Sequence, residues 1–363
     1  MKKLLLILLL ALLLAVPCRA DLETDGAALL DTDKLENAVP GAAGELLSGA
    51  SVGGDTDSAL GAVLRGFRDD LLSGLRSGGK NAAAVLLIAL LCAAVSALFE
   101  YGQTPEICTL AGCLGISAVA VSGVRSLIGL GTEALTALSD FSAVLLPTLC
   151  SAAVSSGAVT SAPAKYAATA LFMNVLLTGA KNFIVPLIYG YLVTVIAGAA
   201  LGGTALKSAS KLLKWLCVIA MTVLTLAFTA YLSITGAVSG SADAAAVKFT
   251  KTAISATLPV VGGIVSDAAS SVVAGAGILR AAVGAFGAVA VCAVCAGPVA
   301  ALGAQYLLYK AAAAAAGALP AGRLAGLIDG VGDACGMMLG LTGCGAVMLF
   351  ISIISSARAV TGL

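Results

Sequence analysis

Histidine is absent from this 363-residue sequence, and charged and aromatic residues are scarce, at 11% and 5%. Without histidine a Ser–His–Asp triad cannot form, and zinc and haem centres lack one of their common ligands. An ordinary soluble domain is about 25% charged, so this chain has too few charges to cover a water-exposed surface. A formal net charge of +1 gives no electrostatic basis for binding nucleic acid, and we expect no such partner.

Hydrophobic residues make up 60% of the chain, and glycine occurs 43 times. Helices that pack closely inside a lipid bilayer use small residues at their contacts. The composition therefore predicts an all-α, polytopic integral membrane protein that lies in the lipid bilayer. The Gly-x-x-x-Gly spacings at 198–202 and 336–340 suit close helix contacts, either within one chain or in a homo-oligomer.

Ten cysteines are present, of which Cys18 lies in the leader and the other nine fall inside apolar runs. Free cysteine packs there as a small hydrophobic residue. Cys292 and Cys295 have redox or metal spacing, but no second ligand pair accompanies them. Since no nucleophile–base pair or phosphate-binding loop is recognisable either, we predict no catalytic residues, no metal and no cofactor, and a protein that is not an enzyme.

The first 80 residues differ from the rest of the chain. Residues 1–20 have the basic start, apolar core and small-residue end of a cleaved signal peptide, with an uncleaved first helix as the alternative. Residues 21–80 hold 11 acids against 5 bases and form a predicted acidic extracytoplasmic region. Its last part, Ala59–Leu75, has the periodicity of an amphipathic helix. Residues 81–363 form the predicted multi-pass membrane domain.

Seven or eight transmembrane helices are predicted, because each span needs about 20 mainly apolar residues. The segment Ser126–Asp140 places its leucines on one face and is predicted to be an interfacial helix between two spans. The candidate spans are 81–99, 107–124, 141–160, 166–180, 183–203, 215–235, 282–309 and 335–355.

Orientation follows from lysine and arginine, which are enriched in cytoplasmic loops. With the N-terminal region outside, the loops 161–165, 204–214 and 310–334 are predicted to be cytoplasmic. Their basic residues are Lys165, Lys207, Lys211, Lys214, Lys310 and Arg323.

The segment 253–280 is predicted to be a re-entrant or interfacial element. Pro259, Gly262 and Gly263 interrupt it, and each half is too short to span. Irregular backbone at membrane depth occurs only where protein or water covers it. Polar passages in membranes are built in this way.

Four further residues are candidates for lining such a passage or breaking a helix: Asp267, Arg280, Asn174 and Pro186. Polar groups inside a membrane are costly and therefore often functional. For Asp267 and Arg280 the alternative is a position at headgroup level, where apolar runs stop.

Lys207, Lys211 and Lys214 fall at i, i+4 and i+7, which is one helix face. With Trp215 beside them they are predicted to form an interfacial anchor on anionic lipid. A docking surface for a cytoplasmic partner is the alternative.

Asp329 and Asp333 are four residues apart and share a helix face. They are predicted to cap the last span at the interface, and a paired carboxylate site is the alternative.

Seven short stretches across most of the chain carry a recognisable pattern. They are Leu145–Leu149 with its central Pro147, Ser155–Ser161, Asn182–Ile188, Val247–Phe249, Leu258–Gly263, Ser266–Asp267 and Ala282–Gly287. Together they resemble the stage III sporulation protein AE family of endospore-forming bacteria. Family members often carry lysine before the last stretch, where this chain has Arg280 and so keeps the charge.

The resemblance implies a membrane subunit of an assembly that bridges mother cell and forespore, regarded as a channel or feeding tube needed for late forespore transcription. It also implies a place in the mother-cell membrane around the forespore. The implied partners are the other stage III sporulation A-operon proteins and, through them, stage II sporulation protein Q. Two rival functions remain: an autonomous secondary transporter, and a scaffold that conducts nothing.

Overall fold

A computed structural model of the chain describes eight groups of residues. They are 35, 38–39, 41–47, 56–98, 104–155, 162–257, 262–319 and 322–358, and within 236–277 the description is of the helical backbone alone. The helices are α1 (Gly41–Leu46), α2 (Thr56–Leu98), α3 (Thr104–Ser155), α4 (Ala162–Gly179), α5 (Val185–Leu201), α6 (Thr204–Thr257), α7 (Gly262–Gly317) and α8 (Gly322–Arg358). A π-helical turn, Ala180–Ile184, joins α4 to α5.

Six helices in the described ranges are long and apolar enough to cross a bilayer. They are Thr56–Leu98, Pro105–Ser155, Pro163–Leu201, Thr204–Thr235, Arg280–Gly317 and Gly322–Ser355. No strand occurs among the described residues. The predicted all-α polytopic membrane class is therefore confirmed, whereas the predicted signal peptide at 1–20 lies outside the described residues.

The count of spanning helices differs from the seven or eight predicted, because two pairs of apolar runs are each part of one helix. Run 107–124 and the described part of run 141–160, up to Ser155, both belong to α3, whose 52 residues extend about 78 Å. The segment between them continues the buried face of α3 through Ile128, Leu135 and Leu138. Its charged residues lie on the opposite, exposed face, so they do not interrupt the helix, and no separate interfacial helix forms.

The second pair, 166–180 and 183–203, forms the single spanning helix of α4 and α5. The π turn Ala180–Ile184 accommodates Lys181 and Asn182 without ending the helix. Pro186 follows it directly, within the first two residues of α5, and one widened turn frees the backbone from the hydrogen bond that proline cannot donate. The helix ends at Gly202, which has a left-handed φ of 71° and donates to the Gly198 carbonyl.

The two ends of the bundle are identified by contacts between distant residues. Lys214 and Lys310 both bind Asp333, and Gly112 of α3 packs against Cys92 and Leu324. The last turns of α2, α5 and α7 and the first turns of α3, α6 and α8 therefore lie at one end, which we call the lysine end. At the opposite end Phe172 stacks on Phe228. Lys165 lies seven residues before Phe172 and therefore belongs to the opposite end. The prediction that 161–165 and 310–334 share a side is wrong, because α4 and α5 cross once as a single spanning helix where two spans were expected.

Helix α8 is the centre of the bundle. Of its most apolar 18-residue stretch 78% is buried, against 22% for α2. It packs on α7, α3, α5 and α6. Met338, Leu341 and Met348 are almost fully buried in these contacts, where dense packing supplies dispersion energy that lipid tails would not match.

We expect the six-helix topology to place Ser155 and Ala318 on opposite sides of the membrane, because an odd number of spanning helices, α4–α5, α6 and α7, separates them. Ser155→Cys and Ala318→Cys are introduced one at a time into a chain whose ten native cysteines are replaced. A membrane-impermeant maleimide should label only one of the two in intact cells and both after permeabilisation. Labelling of both in intact cells would contradict this topology.

We expect Gly78→Leu to weaken the contact of α2 with α7. A Cβ at position 78 would overlap the Gln305 carboxamide and lie 2.9 Å from Leu308 Cδ1. Overpacking of this kind costs about 1–3 kcal/mol, so thermal unfolding in detergent should begin at lower temperature. Gly79→Leu is the matched control, because a Cβ at position 79 would meet no atom within 4 Å. Equal destabilisation by both changes would refute the contact.

Candidate functional site

A buried carboxylate on α8, that of Asp333, lies at the junction of four helices. The residue is only 6% exposed. Its Oδ2 forms an ion pair with Lys214 of α6 and accepts a hydrogen bond from the Tyr191 hydroxyl of α5 at 3.3 Å. Its Oδ1 accepts from Lys310 Nζ of α7 at 2.9 Å. Both oxygens are therefore occupied by donors from three other helices.

Lys310 also binds the second carboxylate of α8. Its Nζ lies 2.5 Å from Asp329 Oδ1 and 3.4 Å from the Asp329 carbonyl. The same Nζ lies 5.9 Å from the centre of the Tyr306 ring, where a cation is attracted to the aromatic face. We call Tyr191, Lys214, Lys310, Asp329 and Asp333 the ion-pair cluster.

The prediction that Asp329 and Asp333 cap the last span is wrong. Helix α8 begins at Gly322, so both residues lie inside it, one turn apart on the same face. From that face they reach Lys310, and the alternative of a paired carboxylate site describes their geometry.

Sequence places the ion-pair cluster at the rim of the apolar bundle. Lys214 precedes the uncharged run 215–242, and Lys310 follows the uncharged run 281–309. Asp333 precedes a third uncharged run that ends at Arg358. All three charges thus lie where these helices pass out of their apolar section toward the lysine end.

A cavity of about 350 Å³ opens beside the cluster, between α5, α6 and α8. Its lining is mixed: apolar and small residues of α5 face lysines of α6 and the first three turns of α8. The lining residues are Tyr191, Thr194, Val195, Gly198, Ala199, Lys207, Ser210, Lys211, Lys214, Gly322, Arg323, Gly326, Leu327, Asp329, Gly330 and Asp333. We call this space the basic cavity, because three of its cations (Lys207, Lys211 and Arg323) have no ion-pair partner among the described residues.

The lysines of the predicted interfacial anchor lie in two different environments, the basic cavity and the ion-pair cluster. Lys207 and Lys211 line the basic cavity, and Lys214 reaches further in to Asp333. Trp215 is 58% exposed on the outside of α6. The lipid anchor formed by these lysines and Trp215 stays a prediction, and the three lysines also line the basic cavity.

The candidates for a polar passage lie away from the cluster. Asn174 is on the exposed side of α4, where its side-chain oxygen accepts from Ser139 of α3 at 3.2 Å. Arg280 is 3% exposed at the opposite end of the bundle and donates to the Tyr166 hydroxyl at 3.1 Å. Pro186 follows the π turn on an exposed face. The structure does not bring these residues together.

The predicted element at 253–280 is only partly described. The backbone is helical through Thr257 and again from Gly262, so Gly262, Gly263 and Asp267 belong to the start of α7. Their side chains and Pro259 lie outside the described residues. The re-entrant element and its passage therefore stay predictions.

Sequence reasoning did not identify Lys310 and Tyr191 as members of the site. One signal was available for Lys310: a charge that ends a long uncharged run is positioned to meet charges that end neighbouring runs. Tyr191 carries no such signal, since a tyrosine in an apolar run is typical of a membrane helix.

No three His, Cys, Asp or Glu side chains come together as metal ligands in the described part of the chain. The nine described cysteines are free thiols, with Cys295 buried in the packed interior. The ion-pair cluster joins long helices through charged contacts, and this arrangement suits the positioning of helices and binding.

Comparison with known proteins identifies a family. The model of the family described as Stage III sporulation protein AE matches residues 43–359. Stage III sporulation protein AE of Bacillus subtilis (strain 168) is 22% identical over 280 residues, which cover 76% of this chain and 70% of that protein. No solved structure matches the chain.

We expect Asp333→Asn to destabilise the bundle by about 1–3 kcal/mol, because it leaves two part-buried ammonium groups without their shared counter-ion. Asp329→Asn is the matched control one helix turn away. The Asp329 side chain is 50% exposed and has one lysine partner, so its loss should cost below about 1 kcal/mol. Thermal unfolding of the purified proteins in one detergent measures both, and an equal loss in the two variants would contradict the assigned role of Asp333.

Proposed function

Because this chain belongs to the stage III sporulation protein AE family, we propose that it is a non-enzymatic membrane subunit of a sporulation channel assembly that links mother cell and forespore. Membership makes it a sporulation membrane protein. The observation that carries the proposal is the extent of the family match, which runs from residue 43 to residue 359 and so includes every long helix. The whole bundle, including the ion-pair cluster, lies within the matched part.

We place the chain in the mother-cell membrane around the forespore, with its N-terminal region extracytoplasmic and its lysine end in the cytoplasm. The distribution of bases supports this orientation. The lysine end carries Lys207, Lys211 and Lys214 on α6, Lys310 on α7 and Arg323 on α8. An even number of spanning helices then returns the C-terminal end to the extracytoplasmic side.

Action through partners, without catalysis, agrees with the chemistry of the ion-pair cluster. A general base needs a free lone pair that faces a substrate. The buried carboxylate of Asp333 instead accepts from two ammonium groups and a hydroxyl of the protein itself. The proposed partners are the other stage III sporulation A-operon membrane proteins and, through them, stage II sporulation protein Q.

The outer surface of the bundle offers apolar area for such partners and for lipid. Helix α2 exposes several long hydrophobic side chains on its outward face, including Leu87, Leu91 and Leu98. In the membrane this face meets lipid, helices of a partner, or a second copy of this chain. Helix-on-helix contacts of this kind depend on shape and on small residues.

An autonomous secondary transporter is the second candidate, and a specific observation favours it. The basic cavity opens beside a buried charge cluster, and the spanning helix that forms one wall contains the π turn and Pro186. Carriers build their binding sites from interrupted helices next to buried charges. A scaffold that conducts nothing remains the third possibility.

The proposal predicts that the chain works only with its partners. An epitope-tagged copy in its own sporulating host, cross-linked and purified from membranes, should bring down other stage III sporulation A-operon proteins. Deletion of the chain should abolish late forespore-specific transcription. Reconstituted alone in liposomes, it should give no proton or sodium flux above protein-free vesicles.

Two controls separate the candidates. A tagged membrane protein of similar size and unrelated function, purified in parallel, should recover none of these partners. Flux by the purified chain alone would contradict the channel-subunit proposal and support an autonomous transporter. Normal late transcription in the deletion strain would refute the proposed role altogether.

A further inference from the structure

The basic cavity carries positive charge that nothing within the described residues neutralises. Lys214 and Lys310 are paired with the carboxylates of Asp333 and Asp329. Lys207, Lys211 and Arg323 line the same space without a carboxylate partner in the described ranges. Four cations thus line the cavity with two carboxylates, and both carboxylates are already paired with Lys214 or Lys310.

Two helices begin at the edge of this cavity. Helix α6 starts at Thr204 and contributes Lys207 from its first turn, and α8 starts at Gly322, which lines the cavity with Arg323. The first N–H groups of a helix have no acceptor within it, and their aligned dipoles favour negative charge. Two helix starts on one space add to the attraction that the three side chains already exert on an anion.

Arg323 is held close to the turn that joins α5 to α6. A Cβ on residue 202 would lie 2.8 Å from Arg323 Nη2 and 2.9 Å from its Cζ. Gly202 has a φ of 71°, so glycine there serves both the left-handed turn and the close approach of the guanidinium. The guanidinium is thereby packed against the wall of the cavity.

We propose that the basic cavity binds a phosphate group. A guanidinium matches two phosphate oxygens at once, and lysines and helix N-termini add the point charges that phosphate sites use. The volume of about 350 Å³ exceeds that of a bare phosphate ion and lies in the range of small-molecule sites. The ligand therefore carries an organic part attached to its phosphate.

The position of the cavity fits two sources of phosphate. It lies where the uncharged run 281–309 of α7 ends, which is the level at which lipid headgroups lie. It also opens toward the lysine end, where a soluble phosphorylated molecule could enter. The chemistry is shared, and the experiment separates the two sources.

Binding is measured on the purified full-length chain in a neutral detergent. Native mass spectrometry follows the titration of phosphatidylglycerol, with zwitterionic phosphatidylcholine, whose phosphate is offset by a quaternary ammonium, as the reference of zero net charge. Equilibrium dialysis follows glycerol 3-phosphate, a phosphate monoester without acyl chains. We expect phosphatidylglycerol to bind at least about tenfold more tightly than phosphatidylcholine, since the cations of the cavity attract its net negative charge and repel the quaternary ammonium.

The variants locate the site. Lys207→Gln/Lys211→Gln should weaken binding about tenfold or more, and Arg323→Gln should do the same. Arg125→Gln is the matched control, because Arg125 is an exposed arginine of α3 that does not line the basic cavity. The double lysine variant changes two exposed residues outside the ion-pair cluster, so it keeps the test valid where Arg323→Gln fails to fold.

The outcomes are distinct. Binding of both phosphatidylglycerol and glycerol 3-phosphate supports a site for phosphate itself, and binding of phosphatidylglycerol alone supports a lipid site. Binding of neither above the reference overturns the proposal, as does an equal loss in Arg125→Gln. The proposal does not depend on the channel assembly, because the purified chain is tested without partners.

Discussion

The ion pairs of Asp333 are the constraint on which the arrangement of the bundle depends. A carboxylate that is 6% exposed must be compensated, since one left without its partner in a protein interior costs about 3–5 kcal/mol. The compensation comes from Tyr191, Lys214 and Lys310, which belong to three different helices. Sliding any one of these helices along α8 by a turn would separate a donor from its acceptor. The cluster therefore fixes the register of α5, α6 and α7 against the central helix.

That register also creates the basic cavity. With Lys214 and Lys310 drawn to α8, the first turn of α6 and the first turn of α8 meet beside the Gly202 turn. Lys211 and Lys207 then lie on the same face as Lys214, one turn and two turns before it, respectively. The ion pairs of Lys214 and Lys310 thus determine where the unpaired cations of the cavity lie. The same site therefore holds paired charges, which stabilise the bundle, and unpaired positive charges, which a ligand would contact.

Sequence alone could predict the membrane class and most apolar runs, because both follow from composition and length. It could not predict that 107–124 and 141–155 belong to one helix. A hydropathy profile shows an interruption at Arg125, Glu133 and Asp140. In the structure these three residues lie on the exposed face of one continuous helix, and Leu135 and Leu138 stay buried on the opposite face. The ion-pair cluster could not be predicted from the sequence for a different reason. Periodicity places Asp333 on a face, but its partners Lys214 and Tyr191 are more than a hundred residues away, and only packing decides which faces meet.

A ligand in the basic cavity would act on the bundle through the same helices that the cluster joins. Its phosphate would contact the start of α6 and the start of α8, two elements that the described chain already ties together through Lys214 and Asp333. A ligand changes an equilibrium only by the difference in its affinity for two states. Contacts to both helix starts exist only while these stay adjacent, so phosphate would favour the arrangement described here over any in which α6 moves away from α8. Phosphate binding in the cavity at the lysine end would therefore couple the chemistry on one side of the membrane to helix packing within it.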